Sequence, residues 1–227
     1  MTIFTIDTSG RNGTLAIARR TSAKVEVLAS ESLNGGQYSA ELVPKFAAML
    51  ERLGLKKTDM DAIAVVAGPG SFTGLRVGLA AAKGLAEILR KPLTAISALE
   101  LVAIGASGAH SSVVVALDAG RNDVFVSNVE VQPQLEVRTL SEMLVKVSEL
   151  AERAREFGGI LITPDEKIAA LATEANLPMQ KISAPGPDLL AALAFAQLDH
   201  GVTVRPDDLD ANYLRRSDAE VLFSPSV

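Results

Sequence analysis

Two aspartates and a glycine-rich run are the residues of this chain best placed to do chemistry. Asp7 closes an apolar, β-branched stretch, Thr2-Ile3-Phe4-Thr5-Ile6, and is followed by Thr8 and Ser9. Asp118 closes a second apolar stretch, Ser112 to Leu117, and is followed by Ala119, Gly120 and Arg121. Carboxylates at the ends of buried strands can hold a metal-bound water or orient a phosphate, and the Thr8 and Ser9 hydroxyls can donate to one; Ala119 on the other side cannot. Each Asp alone has a simpler use, capping its own hairpin through an Asx turn. Together Asp7, Thr8, Ser9, Asp118 and Arg121 mark a vestigial nucleotide or phosphate site.

The glycine-rich run is Gly68-Pro69-Gly70-Ser71-Phe72-Thr73-Gly74-Leu75-Arg76-Val77-Gly78. It follows Ala62 to Ala67, which reads as a buried strand, and leads into Leu79 to Arg90, which reads as a helix. Such a turn leaves unpaired N–H groups at a helix N-terminus, suited to an anion or to a close-packed neighbour. No Lys-Ser/Thr follows the last glycine, and the spacing of Gly68, Gly70 and Gly74 is not Gly-x-Gly-x-x-Gly, so the known phosphate-loop patterns do not apply. Gly74, Gly78 and Ala82 recur every four residues, which favours close approach of another helix. That helix is either Tyr38–Leu53 of the same chain or the equivalent surface of a second chain. Arg76 reads as a rim salt bridge or a phosphate contact.

Other chemistry is thinly supplied. His110 and His200 have no second ligand at metal spacing, and cysteine is absent, so no metal site, thiolate nucleophile or disulfide is expected. A net charge of −5 argues against an isolated nucleic-acid reader. With 7 Phe, 2 Tyr and no Trp among 48% hydrophobic residues, the core must be aliphatic. No apolar run approaches the roughly 20 residues that span a bilayer, so a cytoplasmic protein is expected.

The elements that must position these residues come in two similar sets. Thr2–Ile6, Thr14–Arg20 and Lys24–Ser32 read as an antiparallel meander, with Asn12-Gly13 as a hairpin signal. Tyr38–Leu53 has helical periodicity, with Leu42, Phe46, Met49 and Leu53 on one face and Gly54 as its C-cap. Pro92–Ile96 reads as a strand and Ala98–Ala106 as a helix. Strands at Ser112–Leu117, Val124–Val131 and Leu135–Leu140 follow, then a helix over Ser141–Phe157, a strand at Ile160–Thr163, a helix over Glu166–Ala175, a strand at Met179–Ser183 and a helix over Asp188–Asp199. Ile6-Asp7-Thr8-Ser9-Gly10-Arg11-Asn12 and Leu117-Asp118-Ala119-Gly120-Arg121-Asn122 match in kind and place, giving an internal repeat of about 110 residues. The expected fold is α/β: a two-lobed actin/Hsp70-like (ribonuclease-H-like) duplicated βββαβα fold, with lobes at 1–106 and 107–227. Whether 207–227 packs back on the first lobe or hangs free is left open.

The motifs resemble the TsaB (YeaZ) family, the partner subunits of bacterial tRNA threonylcarbamoyladenosine synthesis. Ile3 to Ser9, Gly68 to Gly78, Leu117 to Arg121 and Tyr213-Leu214-Arg215 carry the resemblance, the glycine segment most specifically. It implies pairing with the related catalytic subunit TsaD and with the ATPase TsaE, a homodimer when alone, and contact with tRNA only through the complex. It also implies no catalytic residue and no cofactor in this chain. TsaD holds its metal with a His-x-x-x-His pair, and this chain has Ala98 and Val102 at the matching places. Two departures stand out: Tyr38 replaces the family's usual His at the start of the first helix, and Gly120 separates Ala119 from Arg121.

The expectation is therefore a non-catalytic assembly subunit whose partner surface is formed by Tyr38, Leu42, Phe46, Met49, Gly74, Arg76, Gly78 and Ala82. The alternative is a nucleotide-dependent or peptidase-like enzyme of the same fold, using Asp7 and Asp118.

Overall fold

The computed structural model describes residues 1–22, 24–106 and 110–214. Its first half orders β1 (Thr2–Asp7), β2 (Gly13–Arg20), β3 (Val25–Leu33), α1 (Tyr38–Leu53), β4 (Ala62–Gly68), α2 (Phe72–Leu89), β5 (Leu93–Ser97) and α3 (Ala98–Gly105). Its second half repeats the order with β6 (Ser112–Gly120), β7 (Asp123–Val131), β8 (Val137–Lys146), α4 (Leu150–Phe157), β9 (Ile160–Thr163), α5 (Glu166–Glu174), β10 (Met179–Lys181) and α6 (Pro187–Asp199).

Two five-stranded sheets result, ordered β3-β2-β1-β4-β5 and β8-β7-β6-β9-β10, so strand for strand they have the same topology. In each, the first three strands form an antiparallel meander and the last two run parallel to the first. This is the duplicated, two-lobed actin/ribonuclease-H-like α/β fold.

Side-chain alternation along the strands decides which helix lies on which face. Phe4, Ile6, Ile63 and Val65 point to the face covered by α1 and α2, where the rings of Phe4 and Phe46 stack at 3.9 Å. Ile3, Ala62, Ala64 and Val66 point to the opposite face, where the small alanines let α6 approach through Ala191, Ala194 and Phe195. In the second sheet, Val114, Val124 and Val126 meet α4 and α5, while Val113, Val115 and Phe125 meet α3.

The packing does not follow the division at residue 106. Helix α3, from the first half, lies on the second sheet, and α6, from the second half, lies on the first. Arg20 binds Asp199 through its guanidinium and lies 4.8 Å from the Phe195 ring centroid, tying α6 to β2. Helix α3 is apolar on nearly every side, with Leu99, Leu101, Val102, Ala103 and Ile104 all buried, as a helix between two sheets must be.

Two element readings need correction. Residues Ser141–Lys146 are the second half of β8, paired with Asp123–Asn128, and the helix begins only at Leu150. Met143 and Val145 alternate into the core, a strand period that a helical count absorbs. Likewise α2 begins at Phe72, inside the glycine-rich run, because Ser71 caps it by accepting from the Gly74 N–H at 3.4 Å. Only Pro69–Ser71, between the end of β4 and the start of α2, is turn. At the end of α1, Gly54 is left-handed at φ 65° and its N–H closes on Glu51 and Leu50.

Candidate functional site

Strands β1 and β4 are parallel neighbours, so Asp7 and the Pro69–Ser71 turn emerge at the same end of the first sheet. Here the glycine-rich run is pressed onto the first hairpin. Ser71 N–H donates to the Ser9 carbonyl at 2.7 Å, and the Thr8 hydroxyl donates to the Gly74 carbonyl at 2.7 Å. A Cβ at Gly70 would overlap the Ser9 carbonyl, one at Gly74 the Thr8 carbonyl, and one at Gly78 the Thr8 hydroxyl. The glycines serve close packing within the lobe. Thr8 is fully buried, and the half-buried Ser9 donates its hydroxyl to Asp7 Oδ1 at 2.7 Å, so both side chains are engaged within the lobe.

Both aspartates close their own hairpins in the same way. Asp7 Oδ1 accepts the Ser9 N–H at 2.9 Å, and Asp118 Oδ1 accepts the Gly120 N–H at 3.2 Å. Their surroundings differ. Burial pushes the Asp7 carboxyl above its ordinary value of 3.8, with the Ser9 hydroxyl and N–H pulling it back. Asp118 is exposed and pairs with Lys167 at 3.2 Å, while its N–H donates to Asp165 at 2.7 Å. Arg121 is exposed at φ 51° in the β6–β7 turn.

Tyr38 fills the remaining space at the first hairpin. Its hydroxyl donates to the Gly10 carbonyl at 2.9 Å, and its ring edges lie where a Cβ on Gly13 or Gly74 would sit 3.1 or 3.0 Å away. Burial, then the nearby Asp7 charge, raises its pKa. Tyr38 is thus a wedge between Gly13 of β2 and Gly74 in the first turn of α2.

The predicted partner surface is corrected on burial. Tyr38, Leu42, Phe46, Met49, Gly74, Gly78 and Ala82 all face the first sheet inside the lobe's own core, and only Arg76 of that set is exposed. The outward sides of the same two helices carry a different set: Ala40, Val43, Pro44, Ala47 and Ala48 on α1, and Ala80, Gly84 and Ile88 on α2. Val43 is 62% exposed and Ile88 74%. Among the described residues a Cβ at Gly84 would meet nothing within 4 Å, so no contact among them requires a glycine there. At the start of α2, Arg76 lies over the Phe72 ring at 3.8 Å, and its Nε donates to the Tyr213 hydroxyl at 3.2 Å. Arg215, the last residue of the Tyr213-Leu214-Arg215 motif, lies outside the described residues. Among the described residues no group of three or more His, Cys, Asp or Glu could hold a metal ion, and no helix is long and apolar enough to cross a membrane.

A family profile described as "TsaD: tRNA N6-adenosine threonylcarbamoyltransferase" matches residues 32–205. The "tRNA threonylcarbamoyladenosine biosynthesis protein TsaB" of Bacillus subtilis (strain 168) is 28% identical over 211 residues, covering 92% of this chain and 85% of its own. The protein of the same name from Escherichia coli (strain K12) is 27% identical over 189 residues, covering 80% and 82%. The chain belongs to the TsaD family, in its TsaB (YeaZ) group. A solved structure described as YeaZ from Pseudomonas aeruginosa has the same fold, with a TM-score of 0.74 at 23% identity over 93% of this chain and 99% of that one. Ala98 and Val102, where the resemblance implies a histidine pair in TsaD, are buried among apolar neighbours.

Proposed function

We propose that this chain is a non-catalytic assembly subunit in tRNA threonylcarbamoyladenosine biosynthesis, which docks on a TsaD subunit through the outward face of α1 and α2. The relatives' names support the pathway. The observation that carries the docking is Gly84. A mid-helix glycine costs about 1 kcal/mol relative to alanine, and here nothing among the described residues calls for it. Flanked by Ala80 and Ile88 on α2, which covers the same face of the first sheet as α1 with its exposed Val43, Ala47 and Ala48, it suits the close approach of a partner's helices. A second copy of the chain takes this face when TsaD is absent. TsaE joins the assembly, and tRNA is met only through the complex. The engagement of Thr8 and Ser9 within the hairpin and the pairing of Asp118 with Lys167 support a subunit without turnover of its own.

The test is co-purification of the full chain with TsaD. Gly84→Leu and Ala80→Arg are expected to abolish pairing while the isolated chain stays folded, with the far-UV circular dichroism of the parent. Pairing at parent yield in both variants, or hydrolysis of ATP by the purified chain alone, overturns the reading.

A further inference from the structure

The last described segment crosses from one lobe to the other. After α6, Val204 forms an antiparallel bridge with Leu93 on the edge of β5, and its N–H donates to the Leu93 carbonyl at 2.8 Å. Leu209, 1% exposed, sits in the outer core of the first lobe. Asn212 then touches both lobes. Its N–H donates to the Ala67 carbonyl at the end of β4 at 2.8 Å, and its side-chain Nδ2 donates to Glu142 Oε2 on β8 at 2.6 Å. Its own carbonyl oxygen lies where a Cβ on Gly68 would come within 3.0 Å, so the segment presses directly on the first residue of the glycine-rich run. Tyr213 lies against Phe72 with ring centroids 5.1 Å apart, and Leu214 packs with the core that α3 shares with the second sheet.

Parallel α/β sheets take their ligands outside the carboxyl ends of the strands. Asp7, the Pro69–Ser71 turn and Asn212 all stand at that end of the first sheet. The chain therefore puts its own backbone where a ligand of a related fold would enter. We propose that residues 209–214 form a built-in strap that lies across the carboxyl end of β4 and fixes the lobes relative to each other, with the Asn212–Glu142 bond as its fastening. An amide donor on a carboxylate makes a charge-assisted hydrogen bond, stronger than a neutral pair. Leu209 and Leu214 anchor the two ends in separate cores. Neither Asn212 nor Glu142 belongs to the α1–α2 docking face, so the strap stands or falls apart from the pairing with TsaD.

The chain has no tryptophan, so Tyr213→Trp places a single emitter on the strap against Phe72. In that full-length background, Asn212→Ala and Glu142→Ala are each expected to raise acrylamide quenching. Each should also speed hydrogen exchange of peptides covering both 62–71 and 137–146 by about ten-fold. The double variant should do no more than either single, because both remove one bond. Glu142→Gln keeps an acceptor oxygen and should stay near the parent. Exchange unchanged in both singles, changes confined to one lobe, or single effects that add would overturn the proposal.

Discussion

The Thr8 hydroxyl donates to the Gly74 carbonyl at 2.7 Å, and the same oxygen fills the space that a side chain at Gly78 would need. Two glycines six residues apart on α2, Gly78 and Gly84, therefore have opposite meanings. Gly78 is pinned from inside, whereas Gly84 faces open space. Gly78→Ala should destabilise the isolated chain by about 2 kcal/mol or more, since an added methyl must displace a buried, hydrogen-bonded hydroxyl. Gly84→Ala should stabilise it by about 0.5–1 kcal/mol, through helix propensity alone. Urea unfolding of both variants over a range of protein concentrations measures the contrast and separates it from self-association. Equal effects of the two substitutions would contradict the assignment of inner and outer faces.

Tyr38 is a structural wedge whose hydroxyl and ring act separately. Tyr38→Phe leaves the ring between Gly13 and Gly74 and removes only the 2.9 Å bond to Gly10, so it should cost about 1 kcal/mol. Tyr38→His, the residue usual in the family resemblance, also loses ring volume and should cost about 2 kcal/mol or more. Thermal or urea unfolding gives both values; a histidine variant as stable as the parent would show that the site does not need filling.

The two aspartates end equivalent strands, yet only one should matter for stability. Asp118 is exposed and its partner Lys167 is half exposed, and exposed ion pairs contribute little. Asp118→Asn keeps an oxygen to accept the Gly120 N–H and should change stability by less than about 0.5 kcal/mol. A larger loss in urea unfolding would point to a role for Asp118 beyond its hairpin.

Much of this arrangement was legible from residue order, and the exceptions have physical causes. Tyr38–Leu53 was readable end to end because Leu42, Phe46 and Met49 recur at helical spacing and Gly54 stops the chain. The same stripe misled on function. An apolar stripe says that a face is covered without saying by what, and here the lobe's own sheet covers it. The outward face carries Ala40, Ala47, Ala80 and Gly84, which make no periodic peak in hydropathy and show themselves only once the inner face is placed. The exchange of α3 and α6 between lobes had a signal in the sequence: Ala98 to Ile104 is apolar all round, which marks a helix buried on both sides. The strap had none. Asp210, Ala211 and Asn212 have no strand or helix period, and their order comes from contacts with residues 70 to 145 positions away.

Asp7 makes the pH dependence of stability predictable in sign. Its carboxyl is raised above 3.8 chiefly by burial, so the folded chain holds that proton more tightly than the unfolded chain does. Between the unfolded and folded values the native state binds more protons, and stability falls as pH rises through that window. Below the unfolded value the contribution is fully present; above the folded value it has been lost. Glu100 acts in the same direction, raised by burial and by the nearby Glu142 against the pull of the Thr139 hydroxyl. Glu41 acts oppositely: Lys45 and Asn34 hold it down to about 2, so its contribution is present above 4.5 and lost as pH falls toward 2. Asp7→Asn removes the first effect and keeps an oxygen to accept from Ser9. Its melting temperature relative to the parent should therefore rise steadily as pH increases from about 4, and level off above the folded value. Melting curves of the two proteins across pH 4 to about 8 measure this; a difference that stays constant, or that shrinks as pH rises, would mean that the Asp7 carboxyl is not held protonated by its burial.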